Sequence, residues 1–274
     1  MKAVIAVIRP LACLGAAVVV VIGARLAGGE EHVGLVAAAA LSAFLIVAAC
    51  NTVNDIIDVT ADLTNRPDRP IPSGRLPRRR ALVVACLAGV AGLIVAASIR
   101  PAAGLLATAF LTAGVLYSLG SRRMPMMGQL WVAALFGAAA WWGGFVMGAV
   151  PAIVWWAGLI VACFLLPREL LKTAADAAGD SIAGKQTIAV HRGRQVALRA
   201  MVATEVLFAA ISLVPFVLEH GDVRYLAVMW AGAVLPLVTV TIWLWRKVDD
   251  RIRRAEDMTA VIWVTGLSAL LLLK

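Results

Sequence analysis

Apolar residues run along this chain in long blocks, and polar residues fall almost entirely between them. Blocks close to the roughly 20 residues that cross a bilayer as a helix lie at 10–27, 33–50, 81–99, 101–119, 129–149, 151–166, 200–218, 225–245 and 258–273. They predict nine transmembrane helices, the sixth being the shortest. The first block reads as a retained helix, because it has no clear small-residue cleavage site and eight further blocks follow it. The connections after helices 2, 4, 6 and 8 are longer and more polar than the others. Those after helices 2 and 6 each carry an aspartate cluster, a hint of two related halves. No short tandem repeat, linker or low-complexity tract marks a second domain, so 1–274 reads as a single domain.

Composition agrees with this pattern. The chain is 62% hydrophobic and 15% charged, well beyond the ~45–50% apolar share of a soluble domain, which makes it an all-α integral membrane protein. Cys13, Cys50, Cys86 and Cys163 fall in or beside apolar blocks without metal-ligand spacing and read as packing residues.

The net charge of +9 argues for topology and against nucleic acid. With nine spans, 21 of the 25 basic residues lie on one side, leaving Arg25, Arg100, Arg224 and Lys274 for the other. The excess of positive charge in cytoplasmic loops then places the N-terminus and the long loops in the cytoplasm. The expected location is multi-pass in the cell membrane, with the aspartate segments facing the cytoplasm.

Those segments carry the chemistry. At about 100° per residue, Asp55, Asp58 and Asp62 of "NDIIDVTAD" share one helix face with Asn51, and Asn54 joins its edge. In "RELLKTAADAAGD", Asp176 and Asp180 stand one turn apart, with Lys172 and Glu169 on the same face. An aspartate at the bilayer centre costs about 2.5–3.5 kcal/mol, and crowded anions repel, so a cation belongs among them. Carboxylate and amide oxygens favour a hard divalent ion, and Mg²⁺ commonly takes one or two carboxylates, keeping phosphate oxygens and waters as its other ligands. A phosphorylated substrate is the natural bridge between the clusters.

Arg66, Arg69 and Arg75 follow the first cluster, in a loop that Pro67, Pro70 and Pro72 keep from being helical. Their guanidinium groups bind phosphate oxygens bidentately. Arg122, Arg123, Arg168 and Lys172 flank other connections on the same side. By contrast, Arg78, Arg79, Arg80, Arg251, Arg253 and Arg254 form charge runs without paired carboxylates and read as lipid headgroup anchors. His32, His191 and His220 are scattered and make no ligand set. Most of the nine tryptophans read as interfacial or packing residues.

Taken together, these residues resemble the UbiA superfamily of intramembrane prenyltransferases. The resemblance rests on nine helices, "NDIIDVTAD" as N-D-x-x-D-x-x-x-D, "NRPDRPIPSGR", "LYSLGSRR" after helix 4, and "DAAGD" as D-x-x-x-D followed by "GKQT". It implies a helical bundle around a central cavity that opens sideways to lipid beneath cytoplasmic loops. It also implies metal and diphosphate sites on Asn54, Asp58, Asp62, Asp176 and Asp180, with Asp55 in the same motif. Tyr117, Arg69, Arg75, Arg122 and Lys172 would serve the diphosphate. The implied reaction ionises an allylic isoprenyl diphosphate with Mg²⁺ and passes the prenyl group to an aromatic or lipid acceptor.

"KTAAD" departs from the K-D-x-x-D of the branches that make archaeal ether lipids, chlorophyll and prenylated quinone precursors, because Thr173 stands where they have Asp. The alternative within the family is a terpene cyclase, which needs no acceptor. A cation transporter is disfavoured, since transporter sites lie near the midplane on broken helices whereas both clusters here abut cytoplasmic loops.

Overall fold

The computed structural model describes residues 1–120, 125–218 and 222–273, and these residues form an all-helical bundle. Its first helices, α1 (Lys2–Ile8) and α2 (Pro10–Leu26), meet at 48°. Arg9 makes the corner in the left-handed region, at φ 54°, and Pro10 starts the new helix where its missing N–H costs nothing. The chain continues through α3 (Val33–Ile57), α4 (Val59–Asn65), α5 (Arg78–Ile99), α6 (Pro101–Gly120), α7 (Met127–Val146), α8 (Ala152–Ala175), α9 (Ala177–Ile182), α10 (Ile188–Arg192) and α11 (Arg194–Ser212). Next come α12 (Val214–Leu218) and α13 (Val223–Met229), a π-helical turn, α14 (Leu235–Trp245) and α15 (Val248–Leu270).

Among the described residues, seven helices are long and apolar enough to span a membrane, or eight if α1 and α2 count as one bent span. The ninth apolar block lies in α15, whose N-terminal half carries Asp249, Asp250, Arg251, Arg253, Arg254, Glu256 and Asp257. That charge leaves only the C-terminal half of α15 apolar. The sixth block is shortest in sequence because its helix runs on past the apolar residues into Arg168, Glu169 and Lys172, for 24 residues in all. It is also the most interior span: 72% of its apolar window is buried, against 50% or less for the other six.

Two apolar cores lie side by side. One joins α2, α3, α5, α6 and α7 through Val20, Ile46, Ala96, Ala107 and Trp142. The other centres on α8 and gathers α11, α13, α14 and α15, with Phe164 stacked between Phe208 and Trp263 at 4.6 and 5.1 Å. Small residues let helix backbones touch where lipid supplies no hydrophobic drive. A Cβ on Gly143 would lie 2.2 Å from the Val20 carbonyl oxygen, so α7 and α2 meet with no space for a side chain.

The arginine-proline loop, 66–77, is ordered by its own apolar residues. Ile71 and Leu76 are buried with Val7 of α1 and Val59 of α4. Backbone bonds from Ser73 to Arg69 and from Leu76 to Pro70, 3.0 and 2.9 Å, close its turns. This fixes the directions in which Arg66 and Arg69 leave the chain.

Candidate active site

Both aspartate motifs bend at an aspartate, the middle one of the first motif and the first one of the second. Asp58 stands between α3 and α4 at φ −88°, ψ 8°, and Asp176 between α8 and α9 at φ −94°, ψ 3°. The four-residue bonding survives each bend. Asp58 N–H donates to Asn54 O and Asp62 N–H to Asp58 O, both at 2.9 Å, while Asp176 N–H donates to Lys172 O and Asp180 N–H to Asp176 O, at 2.8 and 3.0 Å. Successive carboxylates therefore stay one turn apart, although the straight helix expected through each motif is replaced by two segments.

Asn65 fastens the two motif ends together. Its Nδ2 donates to the Asp176 carbonyl at 2.8 Å, and its Oδ1 accepts from Gly179 N–H at 3.1 Å. Position 179 has no space for a side chain, since a Cβ there would meet Ala61 O at 2.4 Å and the Asn65 amide at 2.5 Å. Asn65 carries no role in the sequence reading, although it is the first residue of the quoted "NRPDRPIPSGR".

Protein cations stand among the carboxylates. Lys185 Nζ bridges the motifs, 2.9 Å from Asp58 Oδ2 and 3.3 Å from Asp180 Oδ1. Burial alone would lower the Lys185 pKa, but Asp58 and Asp180 outweigh it and hold the ammonium above its ordinary value. Arg69 binds Asp62 at 2.6 Å and Asp55 at 3.4 Å. Arg66 binds Glu256 of α15 at 2.6 and 2.8 Å and reaches Asp176 at 3.4 Å. Burial pushes the Asp176 carboxyl up, yet Arg66, Lys172 and Arg253 hold it below the ordinary carboxylate value. At Asp62 and Asp180 burial wins, and both carboxyls lie above it.

Several expected roles shift here. Asp55 is 1% exposed and ion-paired with Arg9, which reaches it from the α1–α2 corner, and with Arg69, so its partners are arginines rather than the other motif. Arg253 is no headgroup anchor: it donates to Asp176 and to Glu256. Arg251 lies over the Trp243 ring at 4.7 Å. Arg75 is exposed and held within its own loop by Ser73 and the Asp68 carbonyl, so it is not brought to the site. Arg122 lies outside the described residues.

Asn54, Asp58, Asp62, Asp176, Asp180, Tyr117, Lys172 and Lys185 line one polar chamber of about 60 Å³. Arg9, Asn54, Arg69, Tyr117, Glu169 and Lys172 also line a larger cavity of about 370 Å³, which continues among Ile46, Phe110, Phe136, Trp142 and Leu165. That volume falls within the roughly 300–1,000 Å³ of ligand pockets. The arrangement suits an amphipathic ligand, with an anionic head among the cations and an apolar body below.

No three His, Cys, Asp or Glu side chains among the described residues are gathered closely enough to hold a metal. Lys185 and Arg69 occupy the positions between them. The donor set nevertheless fits a hard divalent ion. Asn54, Asp58, Asp62, Asp176 and Asp180 line one chamber, and the Lys185 ammonium stands between Asp58 and Asp180, where a cation is held.

Residues 16–265 match the model of the UbiA prenyltransferase family. The chain belongs to this family. A digeranylgeranylglyceryl phosphate synthase of Methanopyrus kandleri is 34% identical over 241 residues, covering 88% of each chain. A UbiA homologue of known structure from Aeropyrum pernix superposes with a TM-score of 0.81 at 18% identity, over 95% of this chain and 97% of that one. Another, from Archaeoglobus fulgidus and bound to GPP and Mg²⁺, gives 0.66 at 17% identity, over 98% and 99%. At these identities the two structures establish the UbiA fold.

Proposed function

We propose that this UbiA-family protein is a Mg²⁺-dependent prenyltransferase that joins an isoprenyl diphosphate to the hydroxyl of a glyceryl phosphate lipid. One observation carries the reading: both aspartate motifs and their cations face one polar chamber that continues into a long apolar cavity. The acceptor class is taken from the Methanopyrus kandleri relative, whose name describes a glyceryl phosphate carrying two geranylgeranyl groups.

In this reading Asn54, Asp58, Asp62, Asp176 and Asp180 hold the metal, which when bound would neutralise charge growing on the departing diphosphate. Arg69, Lys172 and Tyr117 stand where they can bind diphosphate oxygens, Lys185 moves from the carboxylates to the anion, and Arg122 is a further diphosphate ligand by its place in the sequence motif. Asp55 acts indirectly, holding Arg9 and Arg69 in place. The apolar cavity takes the isoprenoid tail and keeps water from the reacting carbon. The allylic C–O bond breaks with its electron pair leaving on diphosphate. The acceptor oxygen then bonds to the freed carbon, and its proton departs with the diphosphate. The protein works as one domain of nine spans with a cytoplasmic N-terminus, the α1–α2 pair and α15 completing the count.

The cyclase alternative uses the same ionisation, and Phe110, Phe136 and Trp142 on the cavity wall offer ring faces to a cation. Incubating purified protein with Mg²⁺ and C10 to C25 prenyl diphosphates, with and without acceptors, separates the two. The transferase yields a joined product only when a hydroxyl lipid is present. A hydrocarbon or terpene alcohol formed without acceptor would establish the cyclase.

A further inference from the structure

Gln129 of α7 lines the polar chamber and is 8% exposed. Its Nε2 donates to Thr173 Oγ1 at 2.7 Å, and that hydroxyl donates onward to the Glu169 carbonyl at 2.8 Å. A hydroxyl has a single proton. Thr173 uses its proton on the backbone, so it can only accept from Gln129, and this fixes which end of the amide faces it. The other end, Gln129 Oε1, is buried with no hydrogen-bond partner. Leaving such an oxygen unsatisfied is costly, which implies that a ligand group completes it.

The chemistry of that group follows from the atom. An amide oxygen accepts and cannot donate, so it repels the oxygens of an ionised diphosphate and suits an O–H. The donors that a diphosphate needs, Lys172, Lys185 and Tyr117, line the same chamber. We propose that Gln129, oriented by Thr173, is a specificity-determining residue that accepts the hydrogen bond of the acceptor's hydroxyl and aims its oxygen at the prenyl carbon. The inference rests on the transferase reading. It also gives a use to the threonine that replaces the acidic residue of related branches: Thr173 holds a neutral acceptor atom in place, where a carboxylate would present a charge. An amide is too weak a base to take the proton, so the residue orients without deprotonating.

The test uses the full-length protein with Mg²⁺, geranylgeranyl diphosphate and geranylgeranylglyceryl phosphate. Gln129→Met keeps length and removes the oxygen. We expect the KM for the glyceryl lipid to rise about tenfold, the size of one neutral hydrogen bond, while the Kd for geranylgeranyl diphosphate measured without acceptor stays at the wild-type value. Thr173→Val should shift acceptor KM in the same direction by less, and Thr173→Ser should restore it. If Gln129→Met does not fold, the valine and serine pair decides the matter alone. An unmoved acceptor KM, as when only a water fills the position, overturns the inference, and so does an equal loss of diphosphate affinity. Failure of the wild type to prenylate any hydroxyl lipid sinks the transferase reading and this inference with it; transfer by the wild type with an unmoved KM in the variants sinks the inference alone.

Discussion

Asp58 and Asp176 bend their helices at nearly the same dihedral angles, yet Asp62 of the first motif is met from the loop that follows it while Asp176 of the second is met by arginines from distant parts of the chain. Arg69 reaches Asp62 across seven residues, whereas Asp176 is met by Arg66 from 110 residues away and by Arg253 from 77. The Asp62 pair is local; those of Asp176 are made by the fold. Lys185 ion-pairs with an aspartate of each motif. The difference teaches that Asp176 should be more sensitive than Asp62 to changes elsewhere in the bundle, while the aspartates proposed to hold the metal should be equally indispensable in both motifs.

That equality gives the largest expected effect. Asp58→Ala and Asp180→Ala should each lower turnover by about 10²–10³, typical for losing one key electrostatic group, and EDTA should reproduce the loss in wild type. A near-normal rate in either variant would break the symmetry drawn between the motifs.

Next comes Arg66→Ala, which leaves Arg253 to hold both Asp176 and Glu256. Removing one member of a buried pair costs about 3–5 kcal/mol; Arg66 keeps 26% of its side chain exposed, so about 1–3 kcal/mol is expected. Thermal unfolding in detergent measures it. Because Asp176 is held below its ordinary value, its share of this stabilisation is present above the unfolded carboxylate pKa and is lost as pH falls through the folded one. Wild type and variant should therefore converge in acid.

Gly179→Ala probes the contact between the short helices. The added methyl would press on Ala61 O, and overpacking of this kind costs about 1–3 kcal/mol. It should loosen the Asn65 link and weaken Mg²⁺ binding, read by titration calorimetry, more than Gly34→Ala, where a Cβ meets nothing within 4 Å among the described residues. Equal metal affinity in the two variants would count against the link. The smallest effect belongs to Arg75→Ala, expected within about 0.5 kcal/mol of wild type in stability and within about twofold in turnover. A large loss of activity would show that its loop closes over the substrate.

How much of this was legible in the sequence depends on how local each feature is. The carboxylate spacing of four, the choice of both motifs and the proline-stiffened loop follow from periodicity and residue chemistry over a few turns. The bends at Asp58 and Asp176 do not, because nothing in apolar periodicity marks a helix that changes direction while keeping its hydrogen-bond register. α8 was underestimated because hydropathy ends at Leu166 whereas the helix continues through charged residues that face the cavity rather than lipid. Arg9, Arg253 and Glu256 reach the site only through packing of α1 and α15 against the motifs, and in sequence they are ordinary charges near helix ends. Lys185 sat in the quoted "GKQT" with no partner visible from spacing alone.

The central claim is that the chamber ionises an isoprenyl diphosphate and the apolar cavity delivers the prenyl group to a hydroxyl lipid. Its most direct test follows diphosphate release and product mass together, for the purified protein with geranylgeranyl diphosphate, Mg²⁺ and geranylgeranylglyceryl phosphate. The account predicts equal amounts of diphosphate and doubly prenylated lipid, and neither when acceptor or metal is withheld. Diphosphate released with a hydrocarbon or terpene alcohol in the absence of acceptor, or transfer undiminished by EDTA, would contradict it.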